Sequence, residues 1–334
     1  MAKKKREWSF DDQVKKSIEG LKNTRSLESQ VRLLRTWLNE PGRTPQTLAP
    51  ILSDSVGITR RYEAVVSSAS EPAKAWPRLH LVWRYEAFQW RVYIDRATEL
   101  ASEYLARGSR GKLSVGRIGC IWFNSILMTM AFAACLGEDE AAYWFGDWCQ
   151  KTAQDPPLFV EKDAWSTGVL EPFLLRLYCL WRARELPHDR FVMPNHGPYV
   201  SVFQAWNNAE KLDEICLKLC QIHAAKVVHF QRPDDDFIFG LQYGLYCEFP
   251  VEILFLQRVR KDLGLSVPNP DHPLLRSPLT SVPFPCPHSG YDPCMAEVYG
   301  RCKQLMPSLN IPWEEKYQSL GLSDADPVPP LEIG

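Results

Sequence analysis

No formal charge stands between Arg117 and Glu138, and residues 118–137 constrain the fold more than any other stretch of the chain. Their length reaches the ~20 residues that an apolar helix needs to cross a bilayer. Arg107, Arg110, Lys112 and Arg117 precede them and acids follow, a charge order that suits a membrane orientation. Against a span stand Asn124, Ser125 and Thr129 in the middle of the run and amphipathic patterns on both sides. A helix apolar on every face is also what the centre of a large helical bundle needs. The expectation is a buried core helix, with no membrane partner.

Helical periodicity runs through nearly all the rest. Ser9 opens a capping-box-like start to Val14, Ile18 and Leu21, and Leu27, Val31, Leu34 and Leu38 form a second stripe that Pro41 and Gly42 stop. A weaker helix is expected over 50–66, with a serine-rich break at 67–70. A long helix over 76–105 places Leu79, Trp83, Ala87, Trp90, Ile94, Ala97, Ala101 and Leu105 on one face, with Arg91 and Asp95 spaced to pair. Further helices are expected over 117–136, 138–154, 166–184, 199–206, 209–228, 250–263 and 295–305. Alternating β-branched runs are nearly absent. The pattern predicts an all-α, multi-helix bundle or array of antiparallel helix pairs, with a Pro-rich extended segment towards the C-terminus. Three parts are expected: N-terminal amphipathic helices over 1–70, a central helical domain over 71–265, and a wrapping segment, short helix and tail over 266–334.

Composition narrows the function. Hydrophobic residues make 45% of the 334 and charged residues 24%, so the chain can bury a sizeable core. Lys+Arg 39 against Asp+Glu 40 leaves no basic surplus, and stable nucleic-acid binding is not expected. Most of the ten cysteines fall in apolar, helix-like stretches, where thiols pack as small hydrophobes. The basic run Lys3–Arg6 has no apolar region behind it, which favours a cytoplasmic address over secretion.

The chemistry-bearing patterns are sparse. The sequence has no G-x-S-x-G, Walker, G-x-G-x-x-G or H-E-x-x-H motif. Cys216, Cys220 and His223 share a helix face, but interleaved leucines and the lack of a second cysteine pair favour a packed thiol face over zinc. Cys286, His288 and Cys294, with Cys302 beyond, lie in a loop-like context at a spacing that matches no zinc signature. His188 and His196 sit in a long loop. No metal, cofactor or catalytic residue is expected; the alternatives are a helical enzyme with a scattered His, Cys and acid site, or a helical scaffold.

The surface signal is different. Glu138, Asp139, Glu140 and Asp147 share a stretch with Tyr143, Trp144, Phe145 and Trp148. Acids steer an encounter with a basic partner and rings supply anchoring area. The expected partner-binding residues are Glu138, Asp139, Glu140, Trp144, Asp147 and Trp148, with Asp234, Asp235 and Asp236 as a second acidic patch. Packing of the rings into the core is the competing expectation.

A helix from Tyr199 to Trp206 leads through Asn207, Asn208, Ala209 and Glu210 into one that carries His223. An aromatic loop follows, then a proline-started helix over Phe249–Leu265 and the segment Asp271–Leu275. Over 199–275 this succession resembles the all-helical immunity proteins of bacterial polymorphic-toxin systems. The resemblance implies a protein without catalytic residues that binds a cognate toxin, often a nuclease or deaminase, and covers its active site.

Overall fold

A computed structural model describes residues 8–23, 27–40, 57–108, 123–154, 169–186, 197–229, 244–281 and 293–319. Within them lie α1 (Phe10–Asn23), α2 (Leu27–Asn39), α3 (Ile58–Ser70), α4 (Pro72–Ala106), α5 (Phe123–Leu136), α6 (Asp139–Gln154), α7 (Leu170–Trp181), α8 (Pro198–Gln204), α9 (Ala209–His229), α10 (Val251–Asp262), α11 (Pro293–Leu305) and α12 (Pro312–Ser319). Short 3-10 turns occur at Gly244–Cys247, Pro273–Arg276 and Pro278–Ser281, and no strand is present among the described residues. The all-α architecture and its packed helix pairs are those expected from the periodicity.

Two expectations need correcting. The serines at 67–70 do not break α3: Ser67 donates to the carbonyls of Glu63 and Ala64, Ser68 to that of Val65 and Ser70 to that of Ser67. Hydroxyls that bond back one turn let serine remain helical. The break is the single residue Glu71, because Pro72 cannot continue α3 yet starts α4 at its first position. The long helix accordingly begins at Pro72 and carries Pro77 inside it.

The chain forms two compact units. In one, α5 is the centre. Of its residues only Ser125 is not buried, and α6, α7 and α10 pack around it. At 1.5 Å per residue the helix is about 21 Å long, well short of a ~30 Å hydrocarbon layer. Among the described residues no helix is long and apolar enough to cross a membrane. Gly137 takes positive φ after α5, and the amides of Gly137 and Glu138 bond back to Ala134 and Ala133. This closing turn leads directly into α6. Gly146 of α6 lies where a methyl group would overlap the ring of Tyr178, so glycine sets how closely α6 and α7 approach. On the other side α8 pairs with α9, and α9 meets α10. The irregular chain after α10 is held by side chains: Gln257 and Arg260 donate to the carbonyls of Pro268 and Ser266, and Asp213 accepts from the Asn269 amide.

The other unit is built on α4, which packs antiparallel on α3, while α11 packs on α2 and on α12. Its interior mixes rings with charge. Trp83 meets Trp313 and Phe88 meets Tyr299 edge-on. Beside these rings the Arg84 guanidinium donates to both oxygens of Glu314, at 3.2 and 2.7 Å, with the two side chains 5% and 1% exposed. Arg61 of α3 pairs with Glu86 of α4, and Arg60 with Glu63 one turn on along α3. Burial pulls the Arg78 guanidinium below its usual range, opposed by Glu63 and reinforced by Arg60.

A buried pair is far more costly to break than to replace whole. Glu314→Ala should lower unfolding free energy by about 3–5 kcal/mol. The double variant Arg84→Met, Glu314→Leu should recover most of that loss. Denaturant titration of the single and double variants measures both; equal losses would show that packing, not the stranded charge, carries the effect.

Candidate functional site

The first turn of α6 carries Asp139 and Glu140, as expected where acids face the positive end of a helix. Glu138, one residue earlier, is buried. Asp139 is half-buried and chelated by Arg258 of α10, which bonds both of its oxygens at 3.0 Å. Arg258 also donates to the Ala134 carbonyl at the end of α5 (2.9 Å) and to Asp262 (2.7 Å). Burial would pull its guanidinium down, but Asp262 and Asp139 outweigh that and raise it. Glu140 is exposed. About two turns on, Asp147 accepts from the Tyr178 hydroxyl and pairs with Arg184. The Tyr178 hydroxyl is pushed far up, by burial first and by Asp147 second.

The rings of α6 divide between core and surface. Phe145 is fully buried. Trp144 stands half-buried, edge-on to Phe145, and Trp148 stands half-buried against Phe123. Tyr143 packs on Trp181 of α7 at 5.1 Å, and Trp181 donates its indole N–H to Asp262. Arg182 lies 3.8 Å over the Tyr143 ring, and Arg258 5.6 Å over Trp181. The structure therefore gathers Asp139, Tyr143, Asp147, Trp181, Arg182, Arg184, Arg258 and Asp262 into one half-exposed cluster on α6, α7 and α10. Of the six residues expected on this helix, Asp139 and Asp147 belong to the cluster, Glu140, Trp144 and Trp148 reach the surface beside it, and Glu138 does not. Asp234, Asp235 and Asp236 lie outside the described residues, as do Cys286 and His288 and the side chain of Cys294.

The sequence pattern gave no sign of the arginines, because their partners lie on other helices. Nor did it single out the turn that holds them. Ala183 takes a positive φ of 49° after α7, with Arg184 N–H bonding back to the Cys179 carbonyl at 2.8 Å. The equivalent turns after α5 and α10 use Gly137 and Gly264. An alanine in this left-handed conformation is strained, since its methyl crowds the following carbonyl.

Deep in the same unit lies a second group of polar side chains. His223 Nδ1 is 2.7 Å from Glu252 Oε1, both fully buried. The Tyr199 hydroxyl is raised well above its usual range by burial, by Glu252 and by Cys220. Cys216 and Cys220 share the buried face of α9 with His223, as a packed thiol face requires. Their thiols are each pushed up to about 12, chiefly by burial. Cys135 and Cys149 are also raised by burial, Cys179 to about 11 and Cys302 to about 12. Thiols so placed stay protonated near neutral pH and are poor nucleophiles. Among the described residues no group of three His, Cys, Asp or Glu side chains could hold a metal ion. His272, half-buried, accepts the Leu274 amide on Nδ1 and is lowered by burial and by neighbouring His223 and Arg276.

No family model, curated protein or solved structure matches the chain.

Two measurements follow. Ala183→Gly relieves a positive-φ alanine and should raise the melting temperature, by a stabilisation of about 0.5–1 kcal/mol; a fall would mean that the alanine methyl makes packing contacts worth more than the strain. Cys135, Cys149, Cys179, Cys216, Cys220 and Cys302 should resist a thiol reagent at pH 8 in the native protein and react on unfolding. Because these folded-state values are raised, the unfolded chain loses its thiol protons first, and their contribution to stability should fall as pH climbs from about 9 towards 12. Native-state labelling of any of the six at pH 8 would contradict the burial.

Proposed function

We propose that this chain is a non-catalytic binding protein that acts in the cytoplasm and neutralises a cognate bacterial toxin, a nuclease or other nucleic-acid-modifying effector, by covering its active site. The observation that carries the reading is the surface formed by α6 and the ends of α7 and α10. Tryptophan, tyrosine and arginine dominate the residues that anchor protein interfaces. Here Trp144, Trp148, Tyr143 and Trp181 are half-exposed, and the charges among them are already held by intramolecular bonds. Groups fixed before the encounter lose little side-chain entropy when a partner docks. The segment 199–275, whose sequence resembles toxin-immunity proteins, supplies α10 and with it Arg258 and Asp262.

The electrostatic part of the mechanism is smaller than a count of acids suggests. Asp139 and Asp147 are each neutralised by an arginine, which leaves Glu140 as the exposed acid of the first turn. Steric occlusion by rings, with modest steering, is the mechanism that fits this surface. Nucleic acid is not the expected partner.

The test is co-expression with the product of the neighbouring open reading frame, with growth rescue as the readout and calorimetry on the purified pair. The wild-type chain should restore growth. Trp144→Ala should weaken affinity by about 2 kcal/mol or more, roughly 30-fold in Kd. Glu140→Lys should act mainly on the association rate, and less at high salt. Growth rescue together with unchanged affinity in both variants would move the interface off this face. Failure of the wild-type chain to rescue would count against the neutralising role itself.

A further inference from the structure

Arg182 is the cation of the α6–α7–α10 cluster that has no carboxylate among the described residues. Arg184 meets Asp147 and the Gln150 side chain, and Arg258 meets Asp139 and Asp262. Arg182 is held by stacking: its guanidinium carbon sits 3.8 Å from the Tyr143 centroid, and its Nε is buried with no acceptor among the described residues. The backbone fixes it as well. Arg182 closes α7, its amide bonds back to Tyr178, and the positive-φ turn at Ala183 follows at once. Beside it lies Trp181, half-buried and packed on the same Tyr143 ring.

We infer that Arg182, stacked on Tyr143 beside Trp181, is the seat for one carboxylate side chain of a protein partner. A guanidinium pinned by a ring presents a planar fork that matches a carboxylate in two parallel hydrogen bonds. The neighbouring rings of Tyr143 and Trp181 supply apolar surface that shields such a pair from water. The surroundings choose the source of the anion. Asp139, Asp147 and Asp262 are each held by an arginine of the cluster, so Arg182 is the one cation there without a carboxylate among the described residues; a single acidic side chain fills that place, whereas a phosphate backbone needs several such cations. The inference deepens the proposed binding role and rests on it for the nature of the partner.

Two arms separate the inference from that role. In the first, the full chain is titrated at constant ionic strength with N-acetyl-glutamate methylamide, and the Trp181 indole N–H resonance is followed by NMR. A saturable shift should appear with the wild type, weaken at least tenfold in Arg182→Gln, and be absent with the glutamine analogue. Arg182→Lys, which keeps the charge and loses the fork, should bind the probe several-fold more weakly. No shift, or an equal shift in Arg182→Gln, overturns the seat. A duplex oligonucleotide that binds in an Arg182-dependent way overturns the choice of a protein carboxylate. In the second arm the product of the neighbouring open reading frame is titrated: Arg182→Glu should weaken binding at least 30-fold, and an acid-to-arginine change in that product should restore it. Wild-type binding that Arg182→Glu leaves intact overturns the inference. Failure of that product to bind the wild type counts against the neutralising role, and the carboxylate seat then stands or falls on the first arm.

Discussion

A helix with no polar face cannot be left against water, and the unit around α5 follows from that constraint. Burying an apolar side chain contributes about 1.5–3 kcal/mol, and α5 offers such side chains in every direction. Its neighbours must therefore surround it instead of covering one stripe. α6, α7 and α10 do so, each with its apolar side inward; the charged groups buried with them include Glu171, Glu252 and Arg260, of which Glu252 meets His223 and Arg260 meets backbone carbonyls. The polar groups at the helix ends then meet at the rim, where the last carbonyls of α5 need donors. Arg258 answers this need at Ala134 while binding Asp139 and Asp262. The cluster assigned to partner binding is thus a consequence of closing the core: the same arginine that finishes α5 fixes the start of α6 and lies over Trp181.

The unit built on α4 solves a different problem. Its long helix is less uniformly apolar, and buried arginines and glutamates alternate with rings along it. Arg84 and Glu314 are 230 residues apart in sequence and meet with almost no exposure. Replacing such a pair with apolar residues often costs nothing, so its presence is a poor argument for stability alone. What it does supply is register. A guanidinium fork and a carboxylate fit in one orientation, which places α12 at one position along α4, with Trp313 against Trp83. Apolar rings alone would tolerate a shift by one turn far better.

How much of this is legible in the sequence depends on range. Period, proline and glycine are local, and they reveal the helices: the uncharged run announces α5, and Gly137 its end. Where a local rule misleads, another local interaction explains it, as with the α3 serines that bond back to their own helix and leave Pro72 to make the break. The site is legible in part. Acids and rings on α6 are plain from residues 138–148, but whether each faces core or solvent depends on contacts from α5, α7 and α10. Phe145 and Trp144, adjacent in sequence, end one in the core and one at the surface. The arginines that neutralise Asp139 and Asp147 arrive from 119 and 37 residues away, and no spacing rule reaches that far. Glu252 shows the same limit: on α10 it reads as a polar residue between apolar ones, yet it is fully buried because His223 of α9 meets it.

The helix ends bear on the recognition role proposed for that face. α5 and α10 end with glycine in the left-handed position, the residue that reaches it without strain. α7 ends with alanine there, at a cost that a glycine would remove. Strain persists where surrounding contacts fix the backbone, and here the contacts are those of the two flanking arginines: Arg182 on Tyr143, and Arg184 on Asp147 and Gln150. A glycine would widen the conformations open to the unfolded turn and let both side chains wander before folding. Alanine keeps the turn stiff, and with it the direction of Arg182. Catalysis asks for groups that change protonation or ligation during a cycle, whereas here Arg182 is stacked on Tyr143 and Arg184 is paired with Asp147. A surface whose charges are largely held in place and whose rings are half-bare fits the proposed role of docking a complementary protein face.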